Sequence, residues 1–391
     1  VTTGFEPGFI VTKCTTNESR WSVADSISGM GASINVQGIR FNYAGVEQDL
    51  DGYINVRPDG FQLTQGDSEW NGSGKKYIYI AIARSNGLTG KPVDTGSDCF
   101  AMDTGAGSSS IPNFDSGFPV DFQFLRQPAS TYNWYTGARV LGNKYLATNL
   151  TDAEGTASAT GWVFDSNAGW NAHSGYNSSY QSWMWKKHAG FDVVTYTGTG
   201  SNMAINHSLS QKPQMMWIKN RSTSRNWVVY HEGLNGATNP AQYELTLNAD
   251  TAEAQSSIRF NDTEPTSTQF TVGTSNRVNT TGDNYIAMLF ASVDGVSSVG
   301  SYTGSSSTVT VTTGFQPRFI WMKKTNASGD WFMFDTVRGI AAGADCYIAL
   351  NSTSAQDCNY DVIDLISTGF TIPTTGSIND NGDSYIYYAH S

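Results

Sequence analysis

Thr312-Thr-Gly-Phe-Gln-Pro317-Arg-Phe-Ile-Trp-Met-Lys323 echoes Thr2-Thr-Gly-Phe-Glu-Pro7-Gly-Phe-Ile-Val-Thr-Lys13, and Pro213-Gln-Met-Met-Trp-Ile-Lys219 carries the second half again. Fourteen residues after each of these prolines stands a tryptophan: Trp21, Trp227 and Trp331. A more diverged version runs from Gly117-Phe118-Pro119 through Phe122-Gln-Phe-Leu-Arg126 to Trp134, fifteen residues after its proline. Self-similarity at a fixed period is the signature of a repeat architecture.

The rear of each copy repeats too. Gly60-Phe61 leads to Tyr77-Ile-Tyr-Ile80, Gln269-Phe270 to Tyr285-Ile-Ala-Met288, Gly369-Phe370 to Tyr385-Ile-Tyr-Tyr388, and Gly161-Trp162 to Ser182-Trp-Met-Trp185. Between these anchors, segments such as Trp227-Val-Val-Tyr230 and Tyr243-Glu-Leu-Thr-Leu247 alternate apolar and polar residues, the period of a half-buried strand. The expectation is an all-β chain of four tandem antiparallel β-sandwich-like units over residues 1–86, 87–191, 192–295 and 296–391, the second diverged. Each unit should open on a Tyr-Thr-Gly strand and turn, as at Tyr196-Thr-Gly198 and Tyr302-Thr-Gly304. In the first unit that segment would precede Val1, so the chain reads as a piece of a longer polypeptide.

Composition agrees. Charged residues are 15% and aromatics 13%, and Gly, Ser, Thr and Asn fill much of the rest, the mixture of short strands and tight turns. A formal net charge of -11 opposes binding to a phosphate backbone, which needs clustered Lys and Arg. Nucleic acid is not an expected partner. With no run of eighteen apolar residues, neither is membrane insertion. Cys14, Cys99, Cys346 and Cys358 lack the C-x-x-C spacing of a zinc knuckle and read mostly as free thiols; only Cys346 and Cys358 are close enough in sequence to suggest a local bridge.

Catalytic motifs dissolve on inspection. Asp94-Thr-Gly96 and Asp103-Thr-Gly105 resemble the paired motif of aspartic proteases, but stand nine residues apart rather than in separate lobes, and the second occupies the Tyr-Thr-Gly position of other units. They read as turns. His173, His188, His207, His231 and His390 form no H-E-x-x-H pair, and no G-x-S-x-G elbow marks a nucleophile. An enzyme is not expected, and no cofactor or metal, calcium aside. Asn379-Asp-Asn-Gly-Asp383 and Glu47-Gln-Asp49-Leu-Asp51 gather oxygen ligands, with Asp380, Asp383, Asp49 and Asp51 the calcium candidates, although a hairpin turn accounts for the same residues. Sequons such as Asn149-Leu-Thr151 and Asn351-Ser-Thr353 arise readily in a chain this rich in Asn, Ser and Thr.

Aromatic rings on a β scaffold can stack on sugars. The second unit is rich in them, and Tyr176 and Tyr180, then Trp183 and His173, are the candidate glycan contacts. Trp170 shares a repeat position with Trp70, Val278 and Ile378, which points to the fold.

The stretch Tyr196-Thr-Gly-Thr-Gly200, Pro213 to Lys219-Asn-Arg-Ser222, Asn226-Trp-Val-Val-Tyr-His231, Phe260-Asn-Asp-Thr263 and Gly282-Asp-Asn-Tyr-Ile-Ala287 resembles a repeat domain of unknown function found in tail-fibre-like and other virion proteins of marine phages, including cyanophages. The likeness is best over residues 192–391. It implies a setting at the virion surface, outside the cell, among other virion proteins, and transfers no site. The expected function is a tail-fibre or appendage protein presenting β units, as a homo-oligomer with a trimer favoured, for attachment to a host surface glycan. A capsid or tail decoration or spacer protein is the alternative, and a glycan depolymerase, which needs a carboxylate pair in a groove, the third. A linear stack of polar units would suit either structural role.

Overall fold

The computed structural model describes residues 1–26, 30, 37–46, 48–49, 54–57, 60–63, 68–83, 95–340, 343–374 and 377–391. The fold is all-β. Among the described residues helix is confined to single turns such as Ser257–Phe260, and no helix is long and apolar enough to cross a membrane.

Three antiparallel sheets of six strands share one strand order. In the third unit it runs Phe191–Thr197, Asn284–Phe290, Met215–Asn220, Val228–His231, Tyr243–Thr246 and Ala254–Gln255. The fourth unit arranges Ser297–Thr303, Ser384–His390, Phe319–Lys324, Trp331–Asp335, Asp345–Ala349 and Asp357–Tyr360 alike, and the second Phe100–Thr104, Gln181–Trp185, Phe122–Arg126, Tyr135–Ala138, Lys144–Ala147 and Gly155–Thr156. Among the described residues the large sheet of the first unit has five strands, in the order Tyr77–Ala83, Pro7–Cys14, Ser22–Asp25, Gln37–Arg40 and Gln48–Asp49, and nothing pairs with the outer edge of Tyr77–Ala83.

The local signals have physical reasons. Tyr196 stacks on Tyr285 with ring centroids 5.0 Å apart, and Tyr302 on Tyr385 at 4.9 Å, so the Tyr-Thr-Gly tyrosine ties the first strand to the last. The glycine two residues on passes against backbone: a Cβ on Gly198 would lie 2.2 Å from the Thr280 carbonyl oxygen, and one on Gly105 equally close to that of Tyr176. Asp103-Thr-Gly105 thus makes the same close approach. After each Pro-to-Trp interval, the tryptophan N–H donates to an asparagine side chain: Trp21 to Asn42, Trp134 to Asn149, Trp227 to Asn248 and Trp331 to Asn351, at 2.9–3.0 Å.

One face of each large sheet is covered by a small one, which encloses a core of its own. Met203–Asn206 with Gln269–Val272 does this in the third unit, where Met216, Ile218, Tyr230, Phe260 and Leu289 are buried together. The opposite face is where the half-buried expectation needs correcting. Met215–Asn220 and Val228–His231 are buried at every position, so both faces of these strands are covered. Met215, Trp217, Met288 and Phe290 meet Phe122, Phe124, Trp183 and Trp185 of the second unit and Phe319, Trp321 and Tyr388 of the fourth in one shared core.

Hydrogen bonds close this arrangement into a ring. Trp134 Nε1 of the second unit donates to the Ala349 carbonyl of the fourth at 2.8 Å, Trp331 Nε1 of the fourth to Thr246 of the third at 3.0 Å, and Trp227 Nε1 of the third to Ala147 of the second at 2.9 Å. Cations follow the same circuit: Arg126 to the Thr353 carbonyl, Lys323 to Asp250 and Lys219 to Thr151. In place of a linear stack, the second, third and fourth units surround an aromatic axis.

Cys346 and Cys358 are disulfide-bonded, while Cys14 and Cys99 are free and buried.

Candidate functional site

A concavity lies on the fourth unit. In the third unit, Val228 and Tyr230 face outward from the ring, and Phe260 of the helical turn packs on Tyr230 at 5.5 Å. The corresponding Phe332 and Phe334 instead line a cavity of about 380 Å³, with Tyr347, Tyr360, Asn359, Asp361 and Ile378 around it. In the third unit the strand Ala254–Gln255 is followed by the helical turn Ser257–Phe260, whereas in the fourth the strand Asp357–Tyr360 runs on to strand Asp364–Ile366 without a helical turn.

Its walls are braced. The Cys346–Cys358 bond ties the two strands that carry Tyr347 and Tyr360. Buried Asp345 accepts the backbone N–H groups of Val362 and Ile363, both at 2.9 Å, which fixes the segment bearing Asp361. Tyr347 meets Phe332 edge to face at 5.3 Å and donates its hydroxyl to Asp357 at 3.3 Å. Desolvation, reinforced by that carboxylate, pushes the Tyr347 phenol up to about 12. Tyr360 is 58% exposed at the rim. Apolar ring faces with an amide and a carboxylate at the edge can hold a sugar ring: the aromatic covers its C–H face while polar groups bond its hydroxyls.

The aromatic residues expected to bind in the second unit separate. Tyr176 and Tyr180 are half-buried, with centroids 4.9 Å apart, and exposed His173 lies 5.1 Å from Tyr176. Tyr132, Tyr135 and Tyr145 extend them into a belt of edge-to-face pairs. Burial pushes the Tyr176 phenol up to about 12, and Tyr180 is raised also, chiefly by burial. Trp183 is placed elsewhere. It has no exposed surface, its Nε1 donates to Asp335 at 3.0 Å, and its ring belongs to the shared core, so it has no face to offer a sugar. Trp170 is buried likewise, stacked near Phe114 and Phe164.

Residues 1–86 and 95–391 match the family described as Domain of unknown function (DUF7483). The chain belongs to this family. No curated protein matches it. The DUF7483 assignment covers both the ring and the first unit, so it favours neither as the functional part.

The calcium candidates on the DUF7483 chain divide. Lys324 reaches both Asp380 and Asp383, the latter at 2.8 Å, so its ammonium sits where a cation would and holds the Asp383 carboxyl below its usual range. Asp49 lies in strand Gln48–Asp49, and Asp51 falls outside the described residues, as does Asp94.

A cluster that sequence spacing did not reveal joins Cys99, His188 and His390, all buried, their potential ligand atoms within 4.8 Å of one another. One thiol and two imidazoles could suit zinc. The proton placement opposes it. Gly190 donates its N–H to His188 Nδ1 at 3.0 Å, so a neutral His188 carries its proton on Nε2, the atom a cation would need bare. His390 Nδ1 lies 3.1 Å from the Ser391 carbonyl, leaving Nε2 to face the Cys99 thiol at 3.7 Å. Burial pushes Cys99 up to about 12 and His390 down to about 3, so the contact is a neutral thiol–imidazole pair.

Proposed function

We propose that this chain is a virion structural protein of the tail-fibre or appendage type, outside the cell, presenting β-sandwich units for attachment to a host surface glycan. The cavity bounded by Phe332, Phe334, Tyr347 and Tyr360 carries the reading, because it offers ring faces and hydrogen-bonding groups together on a braced surface. The sequence resemblance to phage virion repeat domains supplies the setting. The aromatic ring of three units supplies stiffness, which an appendage under load requires. Homo-oligomerisation, as a trimer, belongs to the same reading.

The test is adsorption of the parent virus to its host in the presence of excess chain, wild type and Tyr360→Ala. Blocking by the wild type and its loss in the variant support attachment through the cavity. Absence of cell binding and blocking by the correctly assembled wild type favours the second reading, a decoration or spacer protein, to which the closed ring would serve as a rigid block. Electron microscopy of the particle separates these: a few copies at the tail, or a regular array over the shell. A depolymerase would reveal itself by loss of polysaccharide viscosity.

A further inference from the structure

On the sheet face of the first unit that the other three bury, Val11 and Val23, the counterparts of Trp217 and Val229, are covered, and the apolar residues around them are exposed. By strand register Ile78, Ile80 and Ile82 correspond to Ile286, Met288 and Phe290 of the third unit, and Ile39 and Phe41 to Leu245 and Leu247. The third unit's five residues are buried in the shared core. Ile78, Ile80, Ile82, Ile39 and Phe41 are all exposed, Ile80 by 58% and Phe41 by 63%. Trp21 matches Trp134, Trp227 and Trp331, which are buried and donate across the ring, yet it is itself 36% exposed. An apolar face of this size on one sheet marks an interaction surface.

The chain shows what covers such a face. In all three other cases it is the same face of two further units, arranged head to tail in a ring. Those three units saturate one another, so the first has no partner left among them. We propose that the exposed face of the first unit is the trimer interface of this protein, where the first units of three chains close a second ring like that of the second, third and fourth.

The register specifies the contacts. The tryptophan acceptors Ala147, Thr246 and Ala349 correspond to Arg40, and the cation acceptors Thr151, Asp250 and Thr353, four residues further on, to Ala44. Trp21 Nε1 therefore donates to the Arg40 carbonyl of the next copy, and Lys13, which stands where Lys219 and Lys323 do, to its Ala44 carbonyl. In the single chain Lys13 donates to the Ser19 carbonyl, the counterpart of the bond from Lys219 to the Arg225 carbonyl that in the third unit accompanies the cross-ring bond. Such a head-to-tail contact has one donor and one acceptor side per unit and closes at three, as the intramolecular ring does.

This deepens the homo-oligomer part of the proposed function and rests on that part alone. Sedimentation velocity of the full chain at micromolar concentration tests it without host or glycan. The expected species has three times the 42.4 kDa mass of one chain. Ile80→Lys and Phe41→Lys, at positions exposed in the single chain, return it to one-third of that mass with the far-ultraviolet circular dichroism of the wild type. A wild-type monomer or dimer overturns the proposal, the monomer leaving the face to other units of a longer chain or to another partner. A trimer that survives both substitutions overturns it as well. A trimer that neither binds cells nor blocks adsorption upholds the interface and removes the attachment reading.

Discussion

The rings of Trp217 and Trp321 lie 4.5 Å apart, one from each of two sheets, and Phe124 of a third sheet stands 5.7 Å from both. These residues occupy one repeat position, in the strand after each anchor proline. Three sheets that each project a large ring at that position close around a common axis, which is why the ring is aromatic at its centre. Burying the three together removes from water surface that no single sandwich could cover with its own small sheet.

Replacing one cross-ring donor tests how firmly the units are coupled. In Trp331→Phe the Thr246 carbonyl loses the indole N–H and keeps the longer bond from the Ala249 N–H, at a cost of about 0.5–1.5 kcal/mol. Trp331→Ala also opens a cavity and costs about 3–5 kcal/mol. Because the core is shared, urea unfolding followed by tryptophan fluorescence should show the second, third and fourth units lost in one transition that shifts as a whole. A variant in which the fourth unit melts separately, leaving the other two at their original midpoint, would contradict a common core.

The repeat made much of this fold legible. The Pro-to-Trp spacing located a strand and the asparagine-bound tryptophan after it, and Tyr-Thr-Gly located the strand that opens a unit. Ring closure was hidden because an inward residue looks the same in sequence whether it meets its own small sheet or two distant units: Met215 and Met216 are adjacent methionines serving different cores. The same ambiguity made Trp183 resemble a surface ring. The cavity was invisible for another reason, since it arises where the fourth unit lacks the helical turn that sets Phe260 against Tyr230 in the third. Only the cysteines flanking Tyr347 hinted that this place was special.

Stability should fall as the medium becomes acidic. Burial holds His231 down to about 4 and His390 down to about 3, with His188 lowered in the same direction. In the unfolded chain these imidazoles titrate near 6.5, so below that pH the unfolded state binds protons that the folded state refuses. Stability is therefore complete above about pH 6.5 and declines as pH falls towards 4 for His231 and 3 for His390, by up to about 1.4 kcal/mol per pH unit for each histidine. Urea midpoints measured from pH 8 to pH 5 check the slope. His231→Gln should flatten it; an unchanged slope in that variant would locate the acid sensitivity elsewhere.

The thiols make a sharper count. Two cysteines are bonded and two are buried, so a thiol reagent should find almost nothing in the native protein and two groups per chain after denaturation without reductant. Reducing the Cys346–Cys358 bond, which closes a short loop between residues 12 apart in sequence, should cost about 2–3 kcal/mol. The effect should appear in the unfolding midpoint and, because the bond braces Tyr347 and Tyr360, in ligand binding too. Four reactive thiols on unfolding without reductant would remove the bond from the argument.

Binding and stability come apart at Tyr360. Its ring stands largely in solvent at the cavity rim, so Tyr360→Ala should leave the unfolding midpoint within about 0.5 kcal/mol of wild type. If the cavity takes a sugar, the lost stacking face is worth about 1.4 kcal/mol, or tenfold in affinity, for host surface polysaccharide measured by calorimetry. Tyr180→Ala is the contrasting variant, because its hydroxyl lies 3.5 Å from that of Tyr132 within the half-buried belt of the second unit. Weakening by Tyr360→Ala alone places the glycan on the fourth unit. Weakening by Tyr180→Ala alone moves it to the belt, where Tyr176 and His173 become the next residues to change.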